Sequence, residues 1–407
     1  MSDRSRKGAR TPMKPVPRCL AAALLVAASA ALGETTPGVF FAEAAPGDSA
    51  RTPSAGPGQD LAAEAKAIAE MWKKRLGTGY ETRTDAARHI VFVSALDRRT
   101  FDYAVQRLAA YLEAQRTCLF PEPLAWNLTV VLPTVADYRT LTPSEKALGH
   151  YNPATRTLVS LRLGDVLVHE FTHALHHNDQ VSAGQRHPAW IIEGLAMLFQ
   201  DSEIRDGRVE PRPGFGLETL QAAARENKVR RLAALAEMRA ESFSDNAEVA
   251  YAHVRFVMLY LHQQGKLRAF YEAYKAGYLA DRSGMAAIEK VLEKPIEEVE
   301  KDWRAWVLGL EPAWRPGRTP DAHLGVRMEA EEGGVRVGGF VHGSAAQRAG
   351  QLKVGDIIVS VGGRPTPAPR DLTAAVQAGR PGETVEIEVI RKGQATIVMQ
   401  LLGAAPK

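Results

Sequence analysis

The chain is 407 residues long, 45% hydrophobic and 24% charged, a composition that can bury a full core and suits two folded domains plus a leader rather than a disordered chain. Its formal net charge of +4 invites a nucleic-acid partner, but six basic residues against Asp3 place +5 in the first 33 residues and leave −1 for the rest. A phosphate-binding face is therefore unsupported, and no nucleic-acid partner is expected.

Those basic residues, Arg4 to Arg18, precede Leu20 to Gly33 (LAAALLVAASAALG), an apolar run shorter than the ~20 residues of a membrane span. Together they read as an export signal over residues 1–33, with cleavage after Ala30, Gly33 or Ala44. The product would be periplasmic or extracellular, and it would touch a membrane only if the N-terminal segment stays uncleaved as an anchor. Cys19 lies at the front of the apolar run, which argues against a lipoprotein. Only Cys118 would remain after cleavage, so no intramolecular disulfide is expected, and Cys118 reads as a small buried apolar residue.

Residues 34–59 are rich in Pro, Gly, Ala and Ser and read as a linker. From Asp60 to Leu76 the apolar residues recur at helical spacing; His89 to Ala95 reads as a strand, Thr100 to Gln115 as a helix and Trp126 to Leu132 as a second strand. Leu148 to Leu161 has two extended arms around a turn at Asn152-Pro153. Helices are then expected over Gly164–His177, His187–Asp201, Leu217–Glu226, Arg231–Arg239, Glu248–Gln264, Leu267–Tyr278 and Ile296–Leu310. Residues 312–320 (PAWRPGRTP) break this pattern as a second linker, and short β-like runs between Gly pairs follow. The expected fold class is α+β: a domain over 60–311 with a small sheet before a helical part, then a β-rich domain over 321–404.

His169-Glu170-Phe171-Thr172-His173 carries the chemistry. Two histidines four residues apart on one helix face can reach one Zn2+, with the intervening Glu170 beside it as general base. A catalytic zinc takes a third protein ligand and leaves one position for water. His176 and His177 lie further along the same helix; at 1.5 Å per residue His177 is roughly 12 Å from His169, so both are expected at the surface or behind the ligands. Asp179 is a weak alternative, because the longer motif that uses it needs Gly where His176 stands. Glu193 is the stronger candidate: an acid among Ile191, Ile192, Leu195, Leu198 and Phe199 needs a partner when buried, and a metal is one.

HEFTH followed by W-x-x-E-G-x-A (Trp190, Glu193, Gly194, Ala196) resembles the gluzincin branch of the zincin metallopeptidases, the peptidase MA group, over about Arg88 to Leu310. The resemblance implies His169, His173 and Glu193 as Zn2+ ligands and Glu170 as base. The aminopeptidases of that group carry a G-x-M-E-N motif that holds the substrate's amino terminus, and nothing between Leu124 and Asp165 matches it. Where they place a Glu that orients a ligand histidine, this chain has Gln200, whose amide oxygen accepts more weakly. A tetrahedral oxyanion needs a donor; Tyr251 resembles the oxyanion tyrosine of the group, with His253 as second choice. Leu158 to Leu161 is expected as the strand beside the cleft, pairing with an extended peptide.

His323 to Leu402 resembles a PDZ domain of the bacterial protease-associated type, through HLGV at His323 to Val326, GSAAQRAG at Gly343 to Gly350, LKVGDIIVSVGG at Leu352 to Gly363 and DLTAAVQA at Asp371 to Ala378. Backbone N–H groups of Leu324, Gly325 and Val326 would cradle a terminal carboxylate of a peptide or protein partner. The expectation is an exported zinc metallopeptidase with a peptide-binding module. The competing class is a PDZ adaptor on an inactive metallopeptidase-like scaffold, which has no need of an intact Glu170.

Overall fold

In the computed structural model, which describes residues 60–142, 147–212, 214, 216–239, 243, 247–311 and 322–404, Asp60 starts the first helix by accepting hydrogen bonds from the amides of Ala62 and Ala63. The expected signal (1–33) and linkers (34–59, 312–320) lie outside the described residues. Among the described residues no helix is long and apolar enough to cross a membrane.

Helix α1 (Leu61–Leu76) leads into β1 (Glu81–Asp85), β2 (Ile90–Ser94), α2 (Arg98–Cys118), β3 (Leu128–Leu132), α3 (Val135–Leu141), β4 (Gly149–Asn152) and β5 (Thr157–Ser160). The five strands form one sheet in the order β1-β2-β3-β5-β4, with β2, β3 and β5 mutually parallel and the two edges antiparallel. β2 and β3 are buried along their whole length, as continuous apolar runs covered on both faces should be. Trp72, Tyr80, Val93, Val131, Tyr138 and Val159 pack one face. Phe92, Val130 and Leu158 join the main core on the other, with Phe101 and Leu108 of α2.

The turn at Asn152 forms as expected, its Oδ1 accepting from the amides of Ala154 and Thr155. It makes β4 the sheet edge, whereas β5 is hydrogen-bonded to β3 on one side and β4 on the other. The expectation that Leu158 to Leu161 pairs with an extended peptide is thus corrected: among the described residues the outer strand on that side is β4. Gly149 on β4 sits so close to the next helix that a Cβ there would meet Val166 Cγ1 at 2.5 Å and Glu170 Cγ at 3.1 Å.

That helix is α4 (Asp165–Ala183), running six residues past the expected end at His177 and ending at Gly184 in the left-handed conformation. It is followed by α5 (Ala189–Gln200), the hairpin β6 (Ser202–Arg205) and β7 (Arg208–Pro211), α6 (Leu217–Arg225), α7 (Ala247–Gln263), α8 (Leu267–Gly277), α9 (Met285–Leu292) and α10 (Ile296–Gly309). The expected helix over Arg231–Arg239 is a 3-10 segment, Leu232–Glu237. Gly194 is needed where α5 crosses α7, since a Cβ would stand 3.0 Å from Met258 Cγ and 3.0 Å from Val254 O.

The C-terminal part comprises β8 (Ala322–His323), β9 (Val326–Glu331), β10 (Gly334–Phe340), α11 (Ala345–Ala349), β11 (Ile357–Val361), β12 (Arg364–Pro365), α12 (Pro369–Gln377), β13 (Thr384–Arg391), β14 (Gln394–Leu401) and β15 (Gly403–Ala404). Its sheet runs β14-β13-β11-β10-β9, with β12 paired to β11. It has its own core around Leu324, Val335, Ile358, Leu372 and Val389. The β14 end rests on the first unit: Ala395 is buried in the main core with Ile390 and Ile397 packed against it, Gly393 O accepts from Val135 N and Gln394 Nε2 donates to Ala95 O. The molecule is therefore a mixed α+β protein with a β-rich C-terminal region.

Candidate metal centre

His169 and His173 are one turn apart on α4, and α5 crosses beside them with Glu193 pointing at both. The Nε2 atoms of the two histidines are 3.0 Å apart, and Glu193 Oε2 lies 3.6 Å from His169 Nε2 and 3.7 Å from His173 Nε2. Ligand atoms about 2.0–2.1 Å from a tetrahedral zinc stand roughly 3.4 Å from one another, so these three edges bracket what such an ion requires. Glu193 Oε2 is buried and has no hydrogen-bond partner, a costly condition for a carboxylate oxygen that a cation would relieve. Among the described residues this is the one group of three or more His, Cys, Asp or Glu side chains with that spacing. His169 Nδ1 is 2.9 Å from Gln200 Oε1; with the amide oxygen accepting, the proton sits on Nδ1 and the Nε2 lone pair faces the group. The donor set of two imidazoles and one carboxylate fits zinc.

Glu170 is buried on the same helix, under β4. Burial pushes its carboxyl up to about 7; the His169 charge pulls the other way, Glu193 adds to the rise, and the Tyr151 backbone N–H, donating to the carboxylate, opposes it. Tyr151 is a contact the sequence concealed, because it is made by the backbone. Burial also dominates His173, holding it down at about 4 despite the Glu193 carboxylate. On Glu193 burial works upward, but His173 and His169 overcome it and keep the carboxyl below its ordinary value.

The remaining histidines and Asp179 of α4 are committed elsewhere. His176, expected at the surface or behind the ligands, is fully buried with its Nε2 2.7 Å from Nδ1 of His187 and its ring stacked on Phe120. His177 is half-buried, 2.9 Å from the Tyr151 hydroxyl and beside Trp126. Asp179 accepts from Tyr271 Oη and from Lys275 Nζ, each at 2.7 Å, which removes it as a third ligand.

Tyr251 and His253 separate on α7. Tyr251, buried against Phe243, shares a helix face with Val254 and Met258, the residues that meet Gly194 next to Glu193. His253 turns to α10, where its ring lies 4.9 Å from that of Trp303, and its Nε2 has no hydrogen-bond partner. It packs against α10 rather than α5. Burial holds both His253 and His187 down at about 3. Their unfolded forms titrate near 6.5, so between that pH and 3 the unfolded chain binds protons that the folded one refuses, and stability falls as pH falls. Each should cost about 2 kcal/mol between pH 7.5 and pH 5. Replacing His253 with Phe should flatten the fall in Tm over that range relative to the parent protein; equal slopes would contradict it.

In the C-terminal unit, Leu324 is buried, Gly325 has φ +79 and packs on Ser344 with no room for a Cβ, and its carbonyl accepts from Val341 N at 2.9 Å. The half-buried Val326 begins β9, whose outer side is the sheet edge, next to α12 with Leu372 inward. Gly355 and Asp356 hold the β10–β11 connection, Asp356 pairing with Arg391 and accepting from Lys353 N. The family model for the PDZ domain matches residues 322–398. This region is a PDZ domain. Since the sheet rests on the first unit through β14 and β13, β9 and α12 lie at its opposite end.

Among curated proteins, the chain is similar to a probable periplasmic serine endoprotease, DegP-like, of Rhizobium meliloti (strain 1021), with 39% identity over 64 residues. That match covers 16% of this chain and only 12% of the relative's length. Among solved structures it is similar to an aminopeptidase N family protein from Idiomarina loihiensis, at 13% identity and a TM-score of 0.35, over 80% of this chain and 67% of that one. A third similarity is to an HtrA-type protease, AlgW, with a decapeptide: 23% identity, TM-score 0.21, 27% of this chain and 35% of that one. Both superpositions score too low for a shared fold to follow from them.

Proposed function

We propose that the chain is an exported zinc metallopeptidase of gluzincin type, with His169, His173 and Glu193 holding Zn2+, Glu170 as general base, and the PDZ domain taking peptide or protein C-termini at Leu324, Gly325 and Val326. The observation that carries the reading is the buried Glu193 Oε2, without a hydrogen-bond partner and 3.6–3.7 Å from two imidazole nitrogens. When bound, zinc supplies a water of lowered pKa and a Lewis acid for the scissile carbonyl. Glu170, buried on the same helix with the Tyr151 backbone N–H favouring its charged form, would be the group to accept a proton from the attacking water and pass it to the leaving amine. Gln200 fixes the His169 tautomer. Tyr251, on the α7 face that meets α5, is the donor assigned to the oxyanion. The edge strand β4 is where an extended peptide substrate adds to the sheet. Export is supported by the apolar run Leu20 to Gly33 behind its basic segment. The division of the chain at 60–311 and 321–404 belongs to the same reading.

Metal analysis of purified protein, followed by a peptide-library assay with and without a chelator, tests it. One equivalent of zinc and chelator-sensitive cleavage are expected. Protein that carries no metal would instead favour the PDZ adaptor.

A further inference from the structure

The PDZ domain grips the start of α4 with buried polar atoms and reaches the end of α5 through Arg212. At the start of α4 no side chain of the helix's own unit caps Gly164. Instead the carboxylate of Glu388, from β13, accepts from Leu163 N at 2.7 Å through Oε1 and from Gly164 N at 3.1 Å through Oε2. Glu388 is fully buried, and Arg162 lies beside it, with Nε 3.6 Å from Oε1 and Nη2 donating to Val359 O of β11 at 2.7 Å. Gly164 leaves space for this: a Cβ there would stand 3.1 Å from Glu388 Oε2. At the end of α5, Asp201 accepts from Arg212 Nε at 3.0 Å, and Arg212 Nη1 donates to Gly362 O of the PDZ domain at 2.6 Å.

We infer that Glu388 is a positioning residue of the metal centre, so that the docked PDZ domain is part of the catalytic unit as well as a module for peptides. The inference rests on the proposed zinc site. A carboxylate gripping two successive amides fixes the direction in which the chain enters α4 and places negative charge at the positive end of the helix dipole. His169 lies five residues past Gly164, so a small rotation of the first turn moves its Nε2 relative to Glu193, which sits on α5. Glu386, two residues earlier on the same strand, offers the matched comparison. It accepts from Tyr103 Oη and lies 3.5 Å from Arg107, both on α2, which carries no ligand.

The test compares Glu388→Gln with Glu386→Gln in the full chain, by zinc competition with a chelator, by the visible spectrum of the Co2+-substituted protein, and by kcat and KM. Gln at 388 keeps the volume but loses one acceptor and turns an NH2 towards a backbone N–H. A zinc Kd raised about 10–100-fold, as for residues behind metal ligands, is expected with an altered Co2+ spectrum and a fall in kcat at unchanged KM. Glu386→Gln should leave all three near the parent values. Equal behaviour of the two variants, or unchanged zinc affinity and spectrum in Glu388→Gln, would overturn the inference while leaving the zinc site standing. A parent protein that binds no zinc would overturn both. Should Glu388→Gln fail to fold, Gly164→Ala pushes on the same carboxylate more gently, and a several-fold rise in zinc Kd is the expected result, with no change overturning the assignment.

Discussion

Replacing Glu170 with Gln should lower kcat for peptide hydrolysis by about 10²–10⁴-fold, the range that a positioned proton-transfer group supplies, while the protein keeps its zinc. The geometry explains why the two effects separate. Glu170 is one residue past His169, with its carboxyl turned towards β4, where it accepts from the Tyr151 amide. Gln has the same volume, so it fits under Gly149, where Glu170 Cγ would already be 3.1 Å from a Cβ, and its carbonyl oxygen still accepts from Tyr151. What it loses is the ability to take a proton, because an amide has no basic oxygen lone pair comparable to a carboxylate's. Metal content by elemental analysis and turnover on a peptide library check both halves. Undiminished cleavage by Glu170→Gln would remove Glu170 as base and with it the proposed reaction.

The sequence made the site more legible than its surroundings. Spacing alone put His169 and His173 on one face, and the acid Glu193 in an apolar helix signalled a buried charge in need of a partner; both signals are local and survive without a fold. The polar residues further along α4 were harder, because their partners are distant in sequence. His176 meets His187 across a loop, and Asp179 meets Lys275 and Tyr271 from α8, so nothing near them announced that they are buried against these partners. His253, two residues from Tyr251 on the same helix, turns to α10, and only the crossing of α7 with α5 on one side and α10 on the other separates the two. Elements without strong periodicity escaped as well: β1, α3, α9 and the β6–β7 hairpin are short or polar and are held by what they pack on. The expectation that Leu158 to Leu161 pairs with a peptide failed because strand order is a property of the whole sheet. Nothing local to TVEIEVIRKG indicated that Glu388 reaches back 224 positions in sequence to cap α4.

Removing the third ligand should separate Glu193 from every rival. Glu193→Gln takes the negative charge from a site where two neutral imidazoles are the other donors, and an amide oxygen is a poorer match for zinc than a carboxylate. Zinc affinity should therefore fall by more than the about 10–100-fold expected of a residue that only supports a ligand. Gln200→Ala, which takes away the acceptor 2.9 Å from His169 Nδ1, belongs in that smaller range, because the imidazole stays but its tautomer and orientation are no longer fixed. Asp179→Asn should leave zinc affinity unchanged and act on stability instead, by about 1–3 kcal/mol, since Lys275 and Tyr271 lose a charged acceptor in a place where water does not replace it. Chelator competition and thermal unfolding on the three variants give a pattern, not a single loss. If Asp179→Asn released the metal, or Glu193→Gln retained it at the parent affinity, the ligand set would have to be drawn differently, with α4 supplying three donors and α5 none.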